Sequence, residues 1–539
     1  MPRSTKMLAI ALSTLIVLII IFSLLAFYGS EREVVFNESY GDATISIKAS
    51  RDAILFPGEC LVLEWEMTGI SSASLSLNNK ITTINAIDHK TYCLWIDTPI
   101  IDLEFSDNTS QSYTLPIRHL YRSFPVFILL VLSCASVCIL SYLLFDVAGV
   151  LIIVTAISFT PILMTGATTG YDFSVHLGFI RNMQLSGNPQ DLPPHFTFHY
   201  LTLAVTTIIP AISLENAAFI VVTIAQCFTA HALYSLLNIL QAQSGNSRRM
   251  RVLNAVLAYL LLWVGPMSFF TRGITLQMES ALLFANTYHS PTMLVMRPLS
   301  IYLFILLIRS PEKWSNRVIA YIGGIALLLL VGAHAKPSFI MVIVPAYIML
   351  LCIQYLRDKQ VNKIQLIVAA TLIITMILAL GWQYLAIYGD TGSNLAAKTG
   401  SGIKIEIFGL YRILRVAPLT ILIEWFVSLI FPISVYLLYF KRAWRDNILN
   451  FSWIALAGAI AMIVIFIEVT RADDGNFGWA TRITTLIVYT TSIGFILRQH
   501  HNRTETGHDW QFWFCISLFI VHALFYASLL INTFMGIVK

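Results

Sequence analysis

Apolar residues run nearly unbroken for about 20 positions, again and again, along this chain, and each such run is long enough for a helix to cross a lipid bilayer. The first is Met7 to Tyr28. Others cover 122–144, 147–165, 216–240, 250–268, 292–309, 318–334, 337–356, 363–387, 415–440, 449–469, 481–498 and 510–533. One stretch, His199 to Ile212, is too short to span comfortably and reads as re-entrant or interfacial. The expected fold is an all-α polytopic membrane bundle of about thirteen transmembrane helices.

Residues 31–120 follow a different period. Stretches such as Thr44-Ile45-Ser46-Ile47-Lys48 and Leu61-Val62-Leu63-Glu64-Trp65-Glu66 alternate, and Pro57-Gly58, Asn78-Asn79 and Asp107-Asn108 break them. Period-two patterning with frequent turn signals predicts a small antiparallel β-sandwich. Residues 1–30 then form an uncleaved signal anchor, because the run is long for a signal peptide and lacks a small-x-small cleavage site. Residues 121–539 form the multispanning domain.

Composition agrees with this division: 57% of residues are hydrophobic and only 12% charged, which excludes a water-soluble fold for most of the chain. A net charge of +5 does not suggest nucleic acid as a partner. Five of the seven cysteines lie in apolar runs, as small core residues do. Cys60 and Cys93 lie in the polar segment and are a candidate disulfide if that segment is extracytoplasmic.

Charge then sets sidedness. Arg3 and Lys6 hold the N-terminus in the cytoplasm. With His199 to Ile212 at the outer surface, the loops holding Arg248-Arg249-Arg251, Arg309 to Arg317, Arg357 to Lys363, Lys441 to Arg445 and Arg498 to Arg503 all fall inside. The expected location is therefore the plasma membrane, with the β-domain and the chemically interesting loops outside.

Those outer loops carry the candidate site residues. Asp172 and His176 are four apart in Tyr171-Asp172-Phe173-Ser174-Val175-His176, so on a helix they share a face. An acid held beside the membrane suits a general base for a lipid-linked substrate, with His176 as its companion; a helix-capping Asp and an interfacial His are the bland alternative. An Asp/His pair also suits a divalent metal ion, but no spacing of two histidines and an acid accompanies it, so no metal ligand is assigned. His334 and Lys336 sit where one helix ends and Pro337 starts the next, which suits a phosphate; a lysine snorkelling to the interface is equally common. Arg471 and Arg272 are further candidate cations, and His289 lies in the same outer segment as Arg272. Asp473 and Asp474 suit sugar hydroxyls, with Trp479 as a stacking platform. Glu424 and Glu468 lie within or near spans, where carboxylates are costly.

Two resemblances emerge from these residues. Cys60, Trp65 and Tyr92-Cys93 resemble an immunoglobulin-like domain. Asp172 in the first large outer loop, the juxtamembrane helices there, and the segment Pro193 to Pro210 leading back into the bundle resemble the GT-C superfamily of polytopic membrane glycosyltransferases. That second resemblance covers roughly residues 120–500. It implies transfer of a sugar from a polyprenyl-phosphate donor on the extracytoplasmic face, with Asp172 acting on the acceptor and Lys336 and Arg471 on the lipid phosphate. No Asp-x-Asp or Glu-Asp pair occurs in the first loop. A lipid-linked glycan polymerase or ligase, and a transporter or flippase of a lipid-linked or polar substrate, remain alternatives. A surface protein displaying the β-domain needs far fewer spans than these.

Overall fold

The computed structural model describes strand segments between residues 34 and 119. From residue 146 to 534 it describes all but 161, 165–170, 189–191, 210–211, 243–246, 266–289, 312, 389–402, 410–417, 469–475 and 502–508. The signal anchor, the run at 122–144, and Arg272, His289, Arg471, Asp473 and Asp474 lie outside the described residues. The chain divides into two compact units, Met1–Ser174 with Ile531–Lys539, and Val175–Leu530.

In the first unit two four-stranded antiparallel sheets form. One runs β1 (Val34–Tyr40), β2 (Ala43–Ala49), β4 (Glu59–Thr68), β7 (Ile87–Leu94); the other runs β6 (Lys80–Ile84), β5 (Ile70–Leu77), β8 (Ile100–Phe105), β9 (Ser110–Thr114). The short β3 (Ala53–Ile54) pairs in parallel with β10 (Arg118–His119). The alternation has the expected cause. Ile45, Ile47, Trp65 and Met67 are buried, Thr44, Lys48, Glu64 and Glu66 are exposed, and the register sets Ile45 opposite Met67 and Ile47 opposite Trp65. Cys60 is the direct register partner of Cys93. Both cysteines therefore sit on neighbouring strands of one sheet, whereas the immunoglobulin disulfide joins strands of two facing sheets. The same unit holds α1 (Asp146–Thr160), an apolar helix that covers most of the expected span at 147–165, with residues 162–164 also helical.

Helices dominate the rest: α2 (Tyr171–Ser186), α3 (Thr197–Ile208), α4 (Leu214–Leu240), α5 (Arg248–Leu261), α6 (Pro291–Ile308), α7 (Asn316–Ala335), α8 (Ile340–Asp358), α9 (Lys363–Tyr388), α10 (Pro418–Ser428), α11 (Ile430–Leu438), α12 (Phe440–Ala443), α13 (Asn447–Ile465), α14 (Trp479–His501) and α15 (Trp510–Phe534). Among the described residues eight helices are long and apolar enough to cross a membrane, or nine if α10 and α11, bent by 64°, count as one broken span. The chain is a multi-pass membrane protein. The short segment that sequence set apart as non-spanning is α3, only 12 residues long. The expected span at 250–268 is described as α5, 14 residues, and falls below spanning length.

The break between α10 and α11 has a local cause. Pro432 has no N–H, so the Ser428 carbonyl four residues earlier loses its helical donor. The Tyr489 hydroxyl of α14 donates to that carbonyl instead, at 2.6 Å. In lipid, where water cannot substitute, such a donor is what makes the break tolerable.

Helix α14 is the axis of this unit. Every residue from Trp479 to Ile496 is buried, and α14 packs against α13, α4, α6, α5 and α11. Some of its hydroxyls bond within the helix, as Thr484 does to the Ala480 carbonyl and Thr490 to the Leu486 carbonyl, while the buried Thr485 and Ser492 hydroxyls have no partner. Gly494 lets α4 approach so closely that a Cβ there would stand 2.5 Å from Leu240 Cδ1.

Side-chain bonds also sort the connectors into two ends. At one end Arg357 (α8) bonds Asn447 (α13), Asn362 bonds the Pro311 carbonyl, Arg442 bonds Gln499, and Arg498 pairs with Asp446. At the other end Thr197 donates to the Val331 carbonyl and Gln383 to the Ala333 carbonyl. There too β11 (Ile403–Ile405) pairs with β12 (Phe466–Glu468). The Arg/Lys-rich connectors thus meet at one end, and the segments bearing the candidate site at the opposite one.

Candidate functional site

Helix α2 begins with Asp172 in its first turn, half-buried, and carries His176 one turn later, only 6% exposed. The partner drawn to His176 is one that sequence reading did not assign. His176 Nδ1 lies 3.0 Å from His199 Nε2, across the α2–α3 connection, with the His195 ring 5.9 Å from that of His176. His199 is fully buried, and burial pulls its imidazole down to about 4, so it is neutral at ordinary pH. A neutral ring has one donor and one acceptor nitrogen, so a histidine pair at this distance requires complementary tautomers. His199 Nδ1 lies beside the backbone of Phe196 and His195 without reaching full hydrogen-bond geometry. Among the described residues no group of three or more His, Cys, Asp or Glu is placed to hold a metal ion.

The second cluster joins α7, the turn after it, and α14. Lys336 is the C-cap residue of α7, its N–H bonded to the Gly332 carbonyl, so its ammonium also complements the carbonyl end of that helix. Its Nζ lies 3.9 Å from the centre of the Trp479 ring, and Arg482 Cζ lies 4.0 Å from the same ring. The two cations are therefore no farther apart than the sum of those distances. Lys336 is 7% exposed, Trp479 3% and Arg482 1%. Cation–π contact at desolvated sites contributes about 2 kcal/mol each, against a cost of several kcal/mol for burying each ion. The ring offsets only part of that cost. Ser338, two residues beyond Lys336, is 4% exposed and its hydroxyl has no hydrogen-bond partner.

Two expectations change here, and one alternative falls away. Lys336 is buried, where the alternative of a snorkelling lysine would have it reach toward water. Trp479, expected as an open platform for a sugar, has its ring taken up by two cations. His334 turns from Lys336 to tilted ring contacts with Phe196 at 4.9 Å and Trp382 at 5.1 Å, while its Nδ1 meets the Leu330 carbonyl. That aromatic group ties α3 and α9 to the end of α7.

Sequence reading missed Arg482, which is hidden inside the apolar run 481–498. The signal was present: an arginine three residues after a tryptophan shares its helix face, and a charge within a span is costly enough to demand a reason. Glu424 is buried at 2% in α10, while β12 holds Glu468 opposite Ile403. A shallow, mainly apolar crevice between α6, α7 and α8, lined by Met296, Leu303, Gly332 and Phe339 among others, has no room for a water molecule and is not part of the site. Comparison with protein-family models, curated proteins and solved structures finds no match to this chain, so its functional reading rests on these residues.

Proposed function

We propose that the protein is an integral membrane glycosyltransferase that moves a sugar from a polyprenyl-phosphate donor to an acceptor. The observation that supports this reading most is the pair of buried cations, Lys336 and Arg482, sharing the Trp479 ring at one end of the helix bundle. Two positive charges held close in a nearly dry setting stabilise a phosphate far more than they would in water. In this reading the bond between the anomeric carbon and the phosphate oxygen breaks, and Lys336 and Arg482 take up the charge on the departing lipid phosphate. An acceptor hydroxyl attacks the anomeric carbon and loses its proton to Asp172, which α2 carries in its first turn. Arg471 and Arg272 are assigned as helpers by position and charge.

The finer architecture belongs to the same proposal. About thirteen spans cross the plasma membrane, the N-terminus is cytoplasmic, and the two N-terminal sheets form an immunoglobulin-like sandwich that presents the acceptor outside. GT-C membership, resting on Asp172 and the outer-loop pattern, is part of it too.

The test incubates purified protein with a panel of polyprenyl-phosphate sugars and follows loss of sugar. Wild type consumes one of them. Lys336→Gln lowers the rate by about 100-fold, the scale of removing one preorganised charge, and Asp172→Asn abolishes transfer without loss of folded protein. Full activity in either variant removes that residue from the mechanism. Translocation of intact donor with no transfer would favour the transporter reading instead, which the buried Arg297 of α6 makes worth measuring.

A further inference from the structure

Arg297 is a charged side chain inside a membrane span, six positions after Pro291 in α6, so about 9 Å below the start of the helix. It is 2% exposed. Its Nη1 donates to Gln226 Oε1 of α4 at 3.2 Å, and Gln226 is itself 1% exposed. Neither Nε nor Nη2 of Arg297 has a hydrogen-bond partner, and Gln226 Nε2 has none. Two adjacent side chains thus present several unpaired N–H groups and a full positive charge at one buried point, with a single neutral oxygen in return. A guanidinium removed from water requires an anion or several acceptors, and ionisable groups within spans are retained chiefly where they are used.

We propose that Arg297 and Gln226 form an anion-binding site within the bundle, for the oxyanion of a phosphate. The planar guanidinium edge carrying Nε and Nη2 matches two phosphate oxygens in the bidentate manner that arginine favours. The Gln226 amide, already bonded to Nη1 through its oxygen, adds its N–H groups beside that edge. A depth of about 9 Å lies in the outer part of a hydrocarbon core about 30 Å thick. The phosphate can therefore come from the headgroup of a membrane lipid or from free phosphate entering at that end. The Arg297–Gln226 pair is separate in sequence and in its contacts from the Lys336–Trp479–Arg482 cluster, and the proposal does not depend on glycosyl transfer.

The experiment places wild type, Arg297→Met, Arg297→Lys and Lys336→Gln in nanodiscs of neutral phosphatidylcholine. Thermal unfolding is followed while inorganic phosphate is added, and separately with phosphatidic acid built into the disc. Wild type rises by roughly 5 °C at saturation with one of the two, and which one responds identifies the source. Arg297→Met without ligand melts no lower than wild type, because it removes an undercompensated charge, and it loses the part of the response that belongs to this site. Lys336→Gln removes only the part that belongs to the Lys336–Arg482 pair and keeps the part that Arg297→Met abolishes. Should Arg297→Met not fold, Arg297→Lys decides: it retains the charge but not the fork, so its response weakens. No response in wild type to either anion, an undiminished response in folded Arg297→Met or in Arg297→Lys, or loss of response in Lys336→Gln alone would each overturn the proposal.

Discussion

His199 is enclosed on α3 with one imidazole neighbour, His176, and no carboxylate among its bonded partners. Burial holds its folded-state value at about 4, below the ordinary 6.5, so the folded protein binds fewer protons than the unfolded one between those values. Stability is complete above pH 6.5 and falls as pH drops through that window, by roughly 3 kcal/mol at its lower edge. Thermal unfolding of purified protein from pH 7 to pH 4 measures this. His199→Gln should flatten the curve, and an unchanged slope in that variant would place the acid sensitivity elsewhere. At this scale sequence reading identified the residue types but not their partners. That Asp172 and His176 lie one turn apart on a single helix was legible through their i, i+4 spacing. The His176–His199 bond was not, because 23 intervening residues carry no local signal of which rings will meet. Lys336 stands out in sequence by its place between two apolar runs; Arg482 was concealed by the hydrophobicity of the run around it.

Helices follow the hydrophobic period closely, and their exceptions are physical. Runs at 318–334, 337–356, 363–387 and 449–469 appear as α7, α8, α9 and α13 within a few residues. The single run 415–440 is broken instead, since Pro432 and the Tyr489 hydroxyl together fix a bend that hydropathy does not register. Close packing is equally invisible to hydropathy. Gly494 meets Leu240 of α4 at distances a methyl group cannot share, whereas a Cβ at Gly323 of α7 meets nothing within 4 Å. Gly494→Ala is therefore expected to destabilise by about 1–3 kcal/mol through overpacking. Gly323→Ala should be neutral or slightly stabilising. Melting temperatures of the two variants compare them directly; equal effects would mean that the α4–α14 contact does not limit stability.

For the molecule as a whole, the distribution of charge anticipates two opposite ends. The connectors joined by Arg357–Asn447, Asn362–Pro311 and Arg498–Asp446 are the positively charged ones, and Lys336, Trp479 and the α3 entrance gather at the other end. In a cysteine-free background, a membrane-impermeant maleimide applied to intact cells should label Asn188→Cys and leave Gln360→Cys untouched. Both positions are exposed, one at each end. Reversed labelling would invert the proposed orientation, and labelling of both from outside would deny that these ends lie on opposite sides. What the chain determines by itself is membrane residence, the alternating strands before the bundle, and the sorting of charge between ends. Burial of apolar surface and exclusion of cations from lipid act on each segment independently, so they leave a mark in local composition. What only the tertiary structure decides is which charges are buried together: Lys336 with Arg482 on Trp479, Arg297 with Gln226, His176 with His199. Each pairing joins residues on different helices and depends on how those helices pack, a property of the assembled bundle that no single stretch of sequence contains.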